Sequence, residues 1–229
     1  MEYNIHEIIE NTDPHVFHNL KYFMTKNEIC LPIKFYGRPY IIRINSSFEQ
    51  EKINGLFRIF YTFIKERESR NLCLPILEKD DLFIDVGASV GSWTLPAATF
   101  GAKVIAIEPD EDSLEIFKHQ LITNHIENQV SIIKQFAGVD TIDSLNLDVI
   151  KLIKIDVEGA EFDVLTGARK TIENYTPNLL VELHTFANQK SPQDEIEFIT
   201  NINPKYKSKV ISQKILEENQ EHYHIYHYI

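Results

Sequence analysis

Glycine and proline are sparse in this sequence of 229 residues, with 8 and 9 of them. So few leave no room for a flexible linker, a low-complexity tract or a collagen-like repeat. Cysteine is almost missing, with only Cys30 and Cys73. Two thiols cannot make the disulfide framework of a small secreted domain, so the expected setting is a reducing cytoplasm. Cations are outnumbered: 23 Lys and Arg face 34 Asp and Glu, a net charge of -11. A non-specific grip on a phosphate backbone needs clustered cations, which disfavours nucleic acid as a partner. Long hydrophobic runs are missing too. Residues 1–20 carry His6, Glu7, Glu10, Asp13 and His15 among their apolar positions, which leaves no secretory h-region. The longest uncharged stretch, Val86 to Ala102, contains Gly87, Gly91, Pro96 and several hydroxyls. It is too short and too polar to span a bilayer, so no membrane span is expected.

What is present is a chain of ordinary globular composition, 43% hydrophobic and 11% aromatic. It is long enough for one α/β domain with an appendage. Residues 3–27 look helical in pieces. Cys30–Phe35 and Tyr40–Asn45 flank Tyr36-Gly37-Arg38-Pro39 and read as a hairpin. Ser47 to about Arg70 reads as a long helix, because Ile53, Leu56, Phe57, Phe60, Phe63 and Ile64 recur at three- and four-residue steps. From Asp81 onward the pattern changes. Apolar strands at Leu82–Val86, Lys103–Ile107, Val130–Ile133, Val149–Ile155 and Asn178–Leu183 alternate with helices near 92–100, 111–124, 160–174 and 191–201, with a short one near 140–146. Such alternation implies βαβ units and a mainly parallel sheet. Lys209–Leu216 and His222–Ile229 have no helix between them and must pair as an antiparallel hairpin.

Four segments carry residues with chemistry. In Asp85-Val86-Gly87-Ala88-Ser89-Val90-Gly91, a buried strand ends in an acid, turns over small residues and opens a helix. Gly87 permits positive φ, Gly91 permits close approach, and the loop N–H groups can hold an anion. It is not the G-x-G-x-x-G fingerprint, since Ser89 stands at the second glycine, and no phosphate-loop lysine follows. Glu108, followed by Pro109, ends the next strand, where a carboxylate can accept both hydroxyls of a ribose. Lys151 to Glu161 repeats the theme: a hydrophobic strand, the carboxylates Asp156 and Glu158, then Gly159 and a helix. Glu161 suits either a helix N-terminus or a functional role. Leu180-Val181-Glu182-Leu183-His184 puts Glu182 and His184 on one strand face, with His184 a candidate base or substrate ligand. All these strand ends should rim one crevice. The spacing of His222, His224 and His227 suggests metal at first glance. Their alternation reads better as a strand with one wetter face, and no metal site is expected. Trp93, the only tryptophan, is expected to pack rather than stack on a ligand.

Taken together, these segments resemble the FkbM family of S-adenosylmethionine-dependent methyltransferases, over about residues 78–185, with the Asp156 motif the most family-specific. The resemblance implies the Rossmann-like class I methyltransferase fold, an α/β domain with a seven-stranded, mainly parallel sheet closed by an antiparallel hairpin. It implies S-adenosylmethionine as cofactor, S-adenosylhomocysteine as product, and O-methylation of a hydroxyl on a sugar or other small metabolite. It places Asp85, Gly87, Ala88, Ser89 and Gly91 at the cofactor's amino-acid end and Glu108 and Pro109 at its ribose. Gln135 and Phe136 fall near its adenine, and Asp156 borders it. His184, Asp156 and Glu158 are the candidate catalytic residues. The family usually has Asn where Ser89 stands, and the 135–141 segment is short by comparison. Two other readings stay open: a tRNA methyltransferase, and a non-catalytic cofactor-binding regulatory module. Residues 78–229 are expected to form the catalytic domain. Residues 1–77 are expected to form a lid or a homodimer surface.

Overall fold

The computed structural model describes residues 29–35, 38–44, 66–139, 141–215 and 221–229. The helices expected over 3–27, most of the helix expected over 47–70, and the turn at Tyr36-Gly37 lie outside the described residues. The N-terminal hairpin is formed by β1 (Ile29–Phe35) and β2 (Arg38–Ile44), paired antiparallel. A short helix, α1 (Arg67–Cys73), leads into the α/β body.

The body alternates strands and helices as the hydrophobic pattern requires. Its elements are β3 (Leu82–Val86), α2 (Thr94–Thr99), β4 (Lys103–Ile107), α3 (Glu111–Thr123), β5 (Val130–Ile133), β6 (Leu152–Ile155), α4 (Glu161–Thr166), α5 (Arg169–Tyr175), β7 (Asn178–His184), α6 (Thr185–Asn188), α7 (Pro192–Ile202), β8 (Lys207–Ile215) and β9 (Glu221–Tyr228). The sheet order is β5-β4-β3-β6-β7-β9-β8. The pairs from β5 through β7 are parallel, and β9 runs antiparallel to both β7 and β8. The chain winds outward from β3 to β5 and then returns to β6 on the other side of β3. That reversal opens a crevice at the strand carboxyl ends. Two apolar layers hold the sheet. One packs Phe83, Trp93, Leu95 and Phe117 on one face, and the other packs Ile84, Ile153, Val164 and Ile172 on the opposite face.

Local chemistry explains the helix starts that frame the crevice. Asp110 caps α3 by accepting the Ser113 N–H, and Glu111 and Asp112 follow in the first turn, where the helix dipole favours acid. Ser191 and Asp194 form a reciprocal capping box on α7, with Pro192 at its first turn. Three expectations shift. The helix over 160–174 divides at Gly167, which lies so close to the Gly138–Val139 backbone that a Cβ would sit 2.5 Å from the Gly138 oxygen. The short helix near 140–146 is a single 3-10 turn at Asp143–Leu145. The strand expected from Val149 begins at Leu152, and Val149 itself is largely exposed. No helix among the described residues is long and apolar enough to cross a membrane.

Candidate functional site

A cavity of about 710 Å³ opens at the strand carboxyl ends. Gly87, Ala88 and Ser89 line one side, and Glu108, Pro109, Gln135 and Phe136 form the β4–β5 end. Asp156, Glu158 and His184 line the β6–β7 end. Two expected residues are not among its lining. Asp85 lies fully buried beneath the loop, where it accepts the Thr94 hydroxyl at 2.7 Å. Gly91 is in contact with the Phe117 ring, 2.4 Å from where its Cβ would be.

The glycine loop is shaped by close approach. Gly87 has φ +74, and a Cβ there would fall 1.7 Å from the Asp156 backbone oxygen, so only glycine lets β3 and β6 tips meet. The amides of Gly87 and Ala88 donate to the Ile107 carbonyl, that of Ser89 to Glu108 Oε2, and that of Gly91 to the Ala88 carbonyl. These four N–H groups are therefore engaged within the protein. The left-handed backbone at Gly87 and Ser89 turns them inward. Glu108 is buried, holds Ser89 with one oxygen and the Asp110 amide with the other, and keeps lone pairs for a further donor.

The opposite end is dense in charge. Lys154 is buried between Asp85 at 3.6 Å and Asp156 at 3.2 Å and donates to the Gly87 carbonyl. Burial alone would lower its pKa, but Asp156 and Asp85 outweigh that and raise it. Asp85 shifts up through burial, against the opposing pull of Lys154 and Thr94. His184 donates from Nδ1 to Glu161 at 2.7 Å, while its Nε2 lies 3.5 Å from Glu158 and 3.9 Å from Asp156. Burial pulls the imidazole pKa down. The Glu161 hydrogen bond and the surrounding carboxylates more than reverse this and bring it to about 9. At neutral pH His184 is thus an imidazolium, whereas its sequence position alone suggested an ordinary neutral imidazole. Glu158 reaches it from a left-handed backbone, φ +54, beside Gly159.

Several lining residues were not singled out as site residues by their motifs. Lys154 interrupts Leu152-Ile153-Lys154-Ile155 in a strand buried throughout, and that charge in an apolar run was the available signal. Glu66, just before α1, lines the cavity and accepts the Trp93 indole N–H, which gives that tryptophan its packing role. Nothing in its local sequence marks it. His222 also lines the cavity, as does Glu182, which its place beside His184 on β7 had marked. His224 and His227 point into other contacts: His224 joins Glu182 and Ser69, and His227 joins Glu195 and Ser208.

Residues 131–206 match the family model described as the methyltransferase FkbM domain. The match spans β5 to the loop before β8 and includes Asp156, Glu158, Glu182 and His184. The FkbM methyltransferase structure from Methylobacillus flagellatus superposes with a TM-score of 0.58 at 20% identity, covering 79% of this chain and 56% of that one. A Streptococcus mutans protein solved in complex with SAH gives 0.56 at 16% identity, covering 70% and 96%. An rRNA methylase from Streptococcus thermophilus gives 0.55 at 13% identity, covering 70% and 94%. These likenesses show the class I, Rossmann-like methyltransferase fold. A curated Methanosphaera stadtmanae relative, described as "Probable ribosomal RNA small subunit methyltransferase A", is 34% identical over 79 residues. This chain spans 26% of that relative and about half the length of the Methylobacillus flagellatus protein.

Proposed function

We propose that the chain is an S-adenosylmethionine-dependent methyltransferase acting on a hydroxyl of a sugar or other small metabolite. The observation that carries this reading is Glu108. Its buried carboxylate ends β4 beside the glycine loop and retains acceptor capacity toward the cavity. The cavity is of the size that encloses a drug-sized ligand. When bound, the cofactor supplies a methyl group already activated on a sulfonium. Glu108 would accept the ribose hydroxyls, with Pro109 beside it and Gln135 and Phe136 at the adenine side. Gly87, Ala88 and Ser89 would shape the wall along the amino-acid end. Asp85 would act through Lys154 rather than by contact, since it sits under the loop.

The chain's own task is then alignment and proton handling. Holding the acceptor oxygen in line with the methyl group supplies a large share of the rate. Asp156 and Glu158 stand 3.9 and 3.5 Å from the Nε2 of the His184 imidazolium at the reacting end, and one of these carboxylates takes the acceptor proton. Glu66, Asp156, Glu158 and Glu182 line the same end against the cations Lys154 and His184. That balance, with the net charge of -11, favours an uncharged polyhydroxyl acceptor over a phosphate-bearing one. A second reading, RNA methylation, draws support from the printed descriptions of the Streptococcus thermophilus and Methanosphaera stadtmanae proteins.

Calorimetry with S-adenosylhomocysteine tests the cofactor assignment. Glu108→Ala should lose two hydrogen bonds to a charged acceptor, each worth roughly 1.5–3 kcal/mol. Unchanged affinity would overturn the assignment. A turnover assay with a metabolite panel and with total RNA separates the two acceptor classes. Cofactor binding without turnover on either set would favour a regulatory module.

A further inference from the structure

We propose that Glu182, His184 and His222 form a binding site for one divalent cation of the zinc or cobalt type on the cavity wall. The register of the sheet creates it. Glu182 and His184 alternate onto one face of β7, and the antiparallel pairing of β9 sets His222 directly opposite His184 and His224 opposite Glu182. One carboxylate oxygen and one nitrogen from each ring lie within 4.8 Å of one another. All three side chains line the cavity, so the side facing the cavity stays open to a water or a substrate oxygen.

The surrounding contacts resemble those that orient metal ligands. Glu161, itself fully buried, holds the Nδ1 of His184 at 2.7 Å, so the ion would take the place of the proton on Nε2. His224 Nε2 lies 2.7 Å from one Glu182 oxygen, and Ser69 fixes the other nitrogen of His224. The second Glu182 oxygen is 3.5 Å from His222 Nδ1. Phe186 stacks on the His222 ring at 5.3 Å and limits its rotation. The Nε2 of His222 is buried and has no hydrogen-bond partner, in a side chain only 11% exposed. A buried polar nitrogen without a partner is costly, which marks the His222 ring as one with an unmet contact on the cavity wall. Two imidazoles with one carboxylate suit zinc or cobalt better than magnesium, which prefers oxygen ligands. This assembly is not the His222–His224–His227 set that the sequence spacing suggested, because His224 and His227 are turned to other partners. A cation here would also polarise an acceptor hydroxyl beside Asp156. That consequence rests on the methyl-transfer reading, whereas the binding itself does not.

The test is titration of the EDTA-treated full chain with Zn²⁺ by calorimetry and with Co²⁺ by visible absorption. The expected result is one ion per chain, with cobalt bands of a nitrogen- and oxygen-ligated site. Glu182→Gln and His222→Ala should each abolish the bands. His222→Phe, which keeps the stacking ring, covers the case in which the alanine variant does not fold. Glu161→Gln, which only loosens His184, should weaken binding by about 10–100-fold. Glu158→Gln should leave the ion in place. No binding by the parent chain would overturn the proposal. So would bands that survive His222→Phe or vanish in Glu158→Gln, since the latter places the ion among Asp156, Glu158 and His184. S-adenosylhomocysteine binding measured on the metal-free chain decides the cofactor reading separately.

Discussion

His184 shows how one side chain takes its character from its neighbours. Three carboxylates surround its ring, and its pKa rises despite burial. Removing it leaves the buried Glu161 with the Gly159 amide but without the imidazole, and takes away the ring proposed to face the acceptor. His184→Ala should cut turnover by ~10²–10⁴-fold while cofactor affinity measured by calorimetry barely changes. Normal turnover would make His184 structural and Asp156 the leading candidate base. Cys73 is the converse case. It sits in the core, and burial pushes its thiol up to about 12. Below that pH the folded protein keeps it as an unreactive thiol, since only the thiolate attacks. Iodoacetamide at pH 8 should leave Cys73 unmodified in the folded chain and label it in urea, as read by peptide mass mapping.

At the scale of elements, the decisive contact is between the tips of β3 and β6. The Gly87 amide binds β4, its carbonyl receives Lys154 from β6, and its Cα faces the Asp156 carbonyl. Gly87→Ala would place a methyl group inside that carbonyl and force a left-handed backbone on a residue with a Cβ. The combined overpacking and backbone cost is about 2–5 kcal/mol. Urea denaturation should show that loss, and the crevice should bind S-adenosylhomocysteine more weakly because its two walls are pushed apart. A stable variant with unaltered binding would mean that the tips separate without consequence. β7 and β9 illustrate the same principle from the other direction. Their antiparallel register puts four ionisable side chains in opposed pairs, and neither strand alone reveals that arrangement.

For the whole molecule, α1 ties the N-terminal part of the chain to the site. Arg70 is fully buried, donates to the Ser92 carbonyl at 2.9 Å and stands over the Trp93 ring. It also faces Glu66, whose carboxyl is shifted up by burial. Arg70→Ala removes the cation and leaves Glu66 uncompensated at the cavity edge. Breaking such a buried pair costs about 3–5 kcal/mol, and chemical denaturation should read it directly. A loss under 1 kcal/mol would show that α1 does not anchor this region. The hairpin of β1 and β2 lies against α2 and α3, on the body that carries the cavity. We propose, as expected from the sequence, that the segment before β3 covers the site or pairs two chains. Sedimentation of the full chain distinguishes a monomer from a dimer.

The seven body strands were legible because an apolar run bounded by turn residues is a local property. β3, β4 and β5 have the bounds read from the sequence, and the others differ by up to three residues. The strand-end acids Glu108, Asp156 and Glu158 and the glycine loop were legible for the same reason: parallel strands deliver their carboxyl ends to one side. Side-chain direction and partner choice are not local. The sequence could not show that Asp85 lies beneath the loop, that Lys154 bridges it to Asp156, or that Glu66 reaches the cavity from 19 residues upstream. Nor could it show that His222 faces His184 while its neighbours His224 and His227 bind elsewhere. Composition and periodicity alone determined the strands, their alternation with helices and the crevice at their ends. Tertiary structure decided which charges meet there, because strand register and burial, not proximity along the chain, set the distances between them.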